Sequence, residues 1–242
     1  MSFRAAVSVA LFVLSLSAQG AFTIFYAKGT PSAELVRLAE PYRREHPEED
    51  CSYVALEKEV RNMEAAEAAA ASIRAGVEVL PSLALSDEQG VYAVVPLTGL
   101  TKELLGRVRR SATDAQRQSK AAVREYRAAQ YLLFAGMALR PPQREEEVLP
   151  YIVECRRLMS CPQAAVRDRQ LLGLRALYPL LLQQYAFAYQ GAHTAKTEAL
   201  FLEAVAALEA ARDADPNSKP GREAYQERER LRAARRQAIP YE

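Results

Sequence analysis

Tryptophan is missing from this sequence, and histidine and cysteine are scarce: its 242 residues include 2 His and 3 Cys. So few cysteines exclude a disulfide-dense miniature scaffold. His46 and His193 stand alone, with no other ligands at metal-binding spacing, so no metal and no cofactor is expected. Neither has a Ser or Cys beside it that would suggest a nucleophile. Charge of one sign is lacking too. Lys and Arg number 32 against 30 Asp and Glu, a net +2, which gives no electrostatic ground for a nucleic-acid partner. What is present is ordinary globular composition, 50% hydrophobic and 26% charged, which excludes a disordered chain. At this length one or two domains are expected.

Residues 1–20 read as a secretory signal peptide rather than a buried first helix or strand. Arg4 supplies the positive start. Ala5 to Leu16 is uncharged but too short to span a bilayer comfortably. Ala18-Gln19-Gly20 then places small residues at the −3 and −1 positions of a cleavage site. No Cys follows for a lipid anchor, and no later stretch reaches transmembrane length. The expectation is a protein exported to a periplasm or secreted. Its mature chain would start near Ala21, with no stable membrane insertion after signal removal.

The rest divides by periodicity into 21–113 and 114–242. In the first part Phe22–Tyr26 is aromatic and β-branched, a buried strand ended by Gly29. Thr30 is a candidate helix cap, with Pro31 at the first helical position. Leu35, Leu38, Ala39 and Tyr42 follow as one apolar face. Cys51–Leu56 is a second strand, and Met63–Ile73 an Ala-rich helix. Leu80–Leu85 is a third strand entered through Pro81. Asp87–Gly90 makes a turn into a fourth strand, Val91–Val95, and Thr101–Val108 a closing helix. The order βαβαββα implies a four-stranded mixed sheet with helices on both faces, parallel where a helix joins two strands and antiparallel at the hairpin. Beyond Asp114 strand signals stop. Helices are expected over Ala121–Leu139, Glu145–Met159, Gln163–Tyr189 with a kink at Pro179, Thr197–Arg212 and Arg222–Arg236.

Several segments carry a family resemblance. They are Phe25-Tyr26-Ala27, Leu38-Ala39 with Pro41, Val77-Glu78-Val79-Leu80-Pro81-Ser82-Leu83, and Gly90 with Gly99-Leu100-Thr101-Lys102-Glu103-Leu104. In this order, over residues 22 to about 110, they resemble a thioredoxin-like domain, an α/β fold in which Pro81 would match the cis-proline. The family's redox chemistry uses two cysteines two residues apart at the start of the first helix, where the helix dipole favours a thiolate. Here that region reads Lys28-Gly29-Thr30-Pro31-Ser32-Ala33-Glu34, and residues 21–50 contain no Cys. The resemblance therefore implies a redox-dead member of the fold. In the second part, Glu203–Pro216 is similar to the second helix of a tetratricopeptide repeat, with Ala204, Leu208, Ala211 and Pro216 at that family's spacings. A degenerate helical-repeat region and a plain helix bundle both remain open.

Two functions follow from these resemblances and a third from the cysteines. The first is a non-catalytic exported protein that binds a protein or peptide partner by strand addition. Its groove would be made by Thr30, Pro31 and Ser32 with Leu80 and Pro81, where a cis Leu80–Pro81 bond keeps the Leu80 N–H and C=O out of the sheet. The second is an enzyme similar to glutathione transferases, with Tyr26, Thr30 or Ser32 stabilising the thiolate. Val91–Thr101, however, lacks the acidic-Ser pair that family uses. The third is thiol exchange through Cys155 and Cys161, which straddle a helix end and are also candidates for a short-loop disulfide. Cys51 reads as a buried inert thiol. Tyr126, Tyr131, Tyr178, Tyr185 and Tyr189 line either a groove or a core.

Overall fold

The computed structural model describes residues 21–87, 90–98, 114–189, 191 and 193–238. The expected signal peptide, the Glu88-Gln89 tip of the turn, Gly99-Leu100 and the expected closing helix Thr101–Val108 lie outside the described residues. The elements run β1 (Ala21–Ala27), α1 (Ser32–Glu45), β2 (Asp50–Leu56), α2 (Met63–Ala75), β3 (Ser82–Asp87) and β4 (Gly90–Pro96), then helices only. These are α3 (Asp114–Leu139), α4 (Glu145–Met159), α5 (Val166–Leu172), a π-helical turn (Gly173–Leu177), α6 (Tyr178–Ala188), α7 (Ala195–Ala214) and α8 (Lys219–Ala238). Backbone proximity divides the chain into two units. One holds the sheet and α1; the other takes residues 59–74 together with the chain from Ala122 onward.

The sheet unit has the strand order β2-β1-β3-β4. β1 pairs with β2 in parallel and with β3 antiparallel, and β3 pairs with β4 antiparallel. The mixed sheet is therefore as expected, with one correction. The second helical connection joins β2 and β3, which run in opposite directions. The parallel rule binds neighbouring strands, and β2 and β3 lie on opposite sides of β1. Between α2 and β3 the residues 76–81 span up to about 20 Å, enough to choose the entry end.

Period-2 alternation buries Phe22 and Ile24 of β1 with Leu83 and Leu85 of β3 and Ala93 and Val95 of β4. Helix α1 presents Leu35, Ala39 and Tyr42 to this cluster, and the Tyr42 ring meets Phe22 edge-on at 4.7 Å. Gly29, at φ +97°, turns the chain between β1 and α1, a conformation that favours glycine. Thr30 does not cap α1, contrary to expectation. Its hydroxyl donates back to the Ala27 carbonyl at 2.7 Å, and Pro31 occupies the cap position. The Leu80–Pro81 bond is cis.

In the helical unit the main cluster is built from Tyr126 and Leu133 of α3, Val148, Ile152, Cys155 and Leu158 of α4, and Leu172, Leu180 and Leu181 further on. Helix α4 has the limits its three leading Glu and trailing Arg156 and Arg157 suggest, charges that complement the helix dipole. The stretch expected as one helix from Gln163 begins at Val166, after a turn closed by the Ala164 N–H on the Cys161 carbonyl. It then widens into the π turn just before Pro179. Proline lacks an N–H, and the Tyr178 N–H reaches back five residues to the Gly173 carbonyl. Thr194 caps α7, its hydroxyl accepting from the Thr197 N–H. Gly221 allows α8 to start hard against the preceding turn: a Cβ there would stand 2.1 Å from the Asp215 carbonyl. Among the described residues no helix is long and apolar enough to cross a membrane.

Candidate functional site

The candidate groove lies within the sheet unit, and strand register places its two halves. Phe25 pairs with Ser82 in the antiparallel β1–β3 ladder, so Leu80 and Pro81 continue alongside the end of β1 that leads into Lys28–Ser32. Thr30, Pro31, Ser32, Leu80 and Pro81 therefore share one end of the sheet. Val79 and Leu80 are 53% and 41% exposed, large apolar side chains left in solvent. The Val79 carbonyl accepts the Ser82 hydroxyl at 2.7 Å, and the Pro81 carbonyl accepts the Leu97 N–H at 3.0 Å. The Leu80 N–H and C=O take no partner among the described residues. Lys28 pairs with Glu57 at 2.6 Å at the same end, an exposed contact worth little to stability.

The one thiol of the sheet unit is not at this end. Cys51 pairs with Phe22, at the opposite end of β1. Burial pushes the Cys51 thiol up; a hydrogen bond with Tyr53 and the nearby Arg43 charge pull it part of the way back. The hydroxyls of the transferase reading are unevenly available. Tyr26 packs against the sheet core, the Thr30 proton is committed to Ala27, and Ser32 is exposed.

All three cysteines are free, so the expected Cys155–Cys161 bond is not present. Cys155 is fully buried in the α4 face of the core, and its S–H points at the Leu172 carbonyl, 3.6 Å away. Burial pushes its pKa up to about 12, so at neutral pH it is neither accessible nor ionised as an attacking thiolate. Cys161, packed against the same core, donates to Gln163 Oε1 at 2.8 Å. The five tyrosines do not form one surface either. Tyr126 is buried, Tyr178 packs on the core, Tyr131 is half-buried, and Tyr185 and Tyr189 stack on each other beside His193.

Sequence reading missed one grouping. His46, Glu48 and Glu49 bring three metal-type ligand atoms within 4.8 Å of one another in the turn after α1. The signal was local, a His-Pro-Glu-Glu turn. Glu49 already serves the fold, accepting the Tyr42 hydroxyl at 2.6 Å and facing His46 Nδ1 at 3.3 Å.

No family model matches the chain, and no curated protein or solved structure shows significant similarity to it.

Proposed function

We propose that the chain is an exported, redox-inactive protein of thioredoxin-like fold that binds an extended polypeptide at the Leu80–Pro81 end of its sheet. The sheet order β2-β1-β3-β4 is compatible with that fold. One observation carries the reading. Leu80 offers an exposed apolar side chain, and a backbone N–H and C=O without a partner among the described residues, beside the Thr30-Pro31-Ser32 turn. An incoming strand would gain main-chain hydrogen bonds there and a place for alternate side chains. Because the sheet unit's one cysteine, Cys51, stands at the other end of β1, binding would proceed without disulfide exchange. The order of charge, apolar run and small residues in 1–20 supports export, and the intact mass of exported protein should correspond to a start near Ala21.

The test is site-specific photo-crosslinking. A photoreactive side chain at residue 80 should capture a thiol-blocked, unfolded polypeptide. The same group at residue 52, near the opposite end of the sheet, should not. Equal capture at both positions, or none at residue 80, defeats the reading.

A further inference from the structure

The helical unit contains a cleft of about 570 Å³ between α5 and the turn joining α7 to α8. That volume is in the range of small-molecule sites. Its shape is held by a buried side chain. Gln170, 1% exposed, donates its amide to the Ala211 carbonyl at 2.8 Å and to the Asp215 carbonyl at 3.0 Å. The Ser218 hydroxyl sits between Gln170 Oε1 at 3.2 Å and the Asp215 carbonyl at 2.8 Å, and receives the Gly221 N–H. With its polar groups satisfied by one another, this wall costs a ligand little ordering on binding.

The charges in the cleft are not balanced. Asp215 already accepts the Asn217 and Ser218 N–H groups, and Glu223 accepts Arg175 at 2.5 Å. Arg167, on α5, and Lys219, the first residue of α8, also line the cleft, and among the described residues no carboxylate pairs with either. Two uncommitted cations thus face a cavity whose carboxylates are already engaged.

We propose that this cleft binds a small organic anion, held through its carboxylate or phosphate oxygens between Arg167 and Lys219. The guanidinium provides a planar fork of donors and the ammonium a compact charge, a pairing suited to either anion. Nothing in it depends on the polypeptide-binding edge of the other unit.

Calorimetric titration of the full chain with succinate and with inorganic phosphate tests the proposal and separates the two sources. One of them should bind saturably with one site per chain, and binding should weaken as salt screens the cations. Arg167→Ala and Lys219→Ala should each weaken it about tenfold, as loss of a charge-assisted contact does. Both side chains are exposed, so urea midpoints should stay put and report that the variants fold. Glu223→Gln should tighten binding, because it frees the Arg175 guanidinium, an effect a merely structural role for these residues does not give. If neither anion binds, or if Arg167→Ala with Lys219→Ala binds as well as the parent chain, the proposal is overturned.

Discussion

In the sheet unit, the polar groups of the candidate edge are a bare stretch of backbone at Leu80 and hydroxyls at the surface; in the helical unit, Gln170, Cys155 and Tyr126 carry theirs into the interior. The first arrangement leaves the edge free to change without disturbing the core behind it. The second makes polar side chains part of what holds the helices together, or part of what they tolerate. The difference separates positions where a substitution should alter binding from positions where it should alter folding.

The largest effect expected is inside the sheet unit. Phe22→Ala removes a fully buried ring from between α1 and the sheet and should cost about 3–5 kcal/mol in urea unfolding. Leu80→Ala, at an exposed position, should cost under about 1 kcal/mol while reducing polypeptide capture. If Leu80→Ala destabilised as strongly as Phe22→Ala, the edge would be core and the contrast would collapse.

Next comes Gln170→Leu. It is close in volume, yet it strips the donor from the Ala211 and Asp215 carbonyls and the acceptor from Ser218. A loss of about 2 kcal/mol is expected, against no more than about 0.5 kcal/mol for Ser32→Ala at the exposed edge. Equal effects would show that the Gln170 network is not structural.

These positions also mark how far the sequence could be read. Phe22–Tyr26 declared its strand because aromatic and β-branched residues run together, and Glu145–Met159 its helix because both ends carry the charges a dipole selects. Only the resemblance to a thioredoxin-like domain, and no local pattern, puts Pro81 and Thr30–Ser32 at one end of the sheet. Gln170 was invisible, since a glutamine in a helix is ordinarily an exposed residue, and its burial is explained by partners more than 40 residues away, the Ala211 and Asp215 carbonyls and the Ser218 hydroxyl. The π turn has no local signal beyond the proline that follows it. The grouping of 59–74 with the helices is likewise a long-range fact, because an Ala-rich helix does not show which neighbour it will meet.

Alkaline pH should also separate the units. The folded state holds the Cys155 thiol proton up to about 12, against an ordinary value of 9.0. Above pH 9.0 the unfolded chain therefore sheds a proton that the folded chain keeps. Stability is full below that point and falls as pH rises toward 12. Tyr126 adds to the fall between 10.0 and about 12, again through burial first. Cys155→Ala should flatten the alkaline loss seen in urea midpoints more than Cys51→Ala does, since Cys51 is only half-buried. The reverse ranking would overturn the placement of Cys155.

The last contrast is the most discriminating, because one substitution should have opposite signs in the two units. Tyr42 and Tyr126 are both buried, at 1% and 4% exposure. The Tyr42 hydroxyl donates to Glu49 Oε2 at 2.6 Å, whereas among the described residues the Tyr126 hydroxyl has no hydrogen-bond partner. Tyr→Phe keeps the ring and deletes only the oxygen. At 42 it removes a charge-assisted bond to Glu49, which should cost about 1–2 kcal/mol. At 126 it removes a polar atom that gave up its water without compensation, so Tyr126→Phe should stabilise the chain by about 1 kcal/mol. It should also erase the tyrosine share of the alkaline loss above pH 10.0. Paired urea titrations of the two variants decide the matter. Destabilisation by Tyr126→Phe would mean that its hydroxyl has a partner in solution, and that the helical core holds a polar contact rather than an uncompensated oxygen.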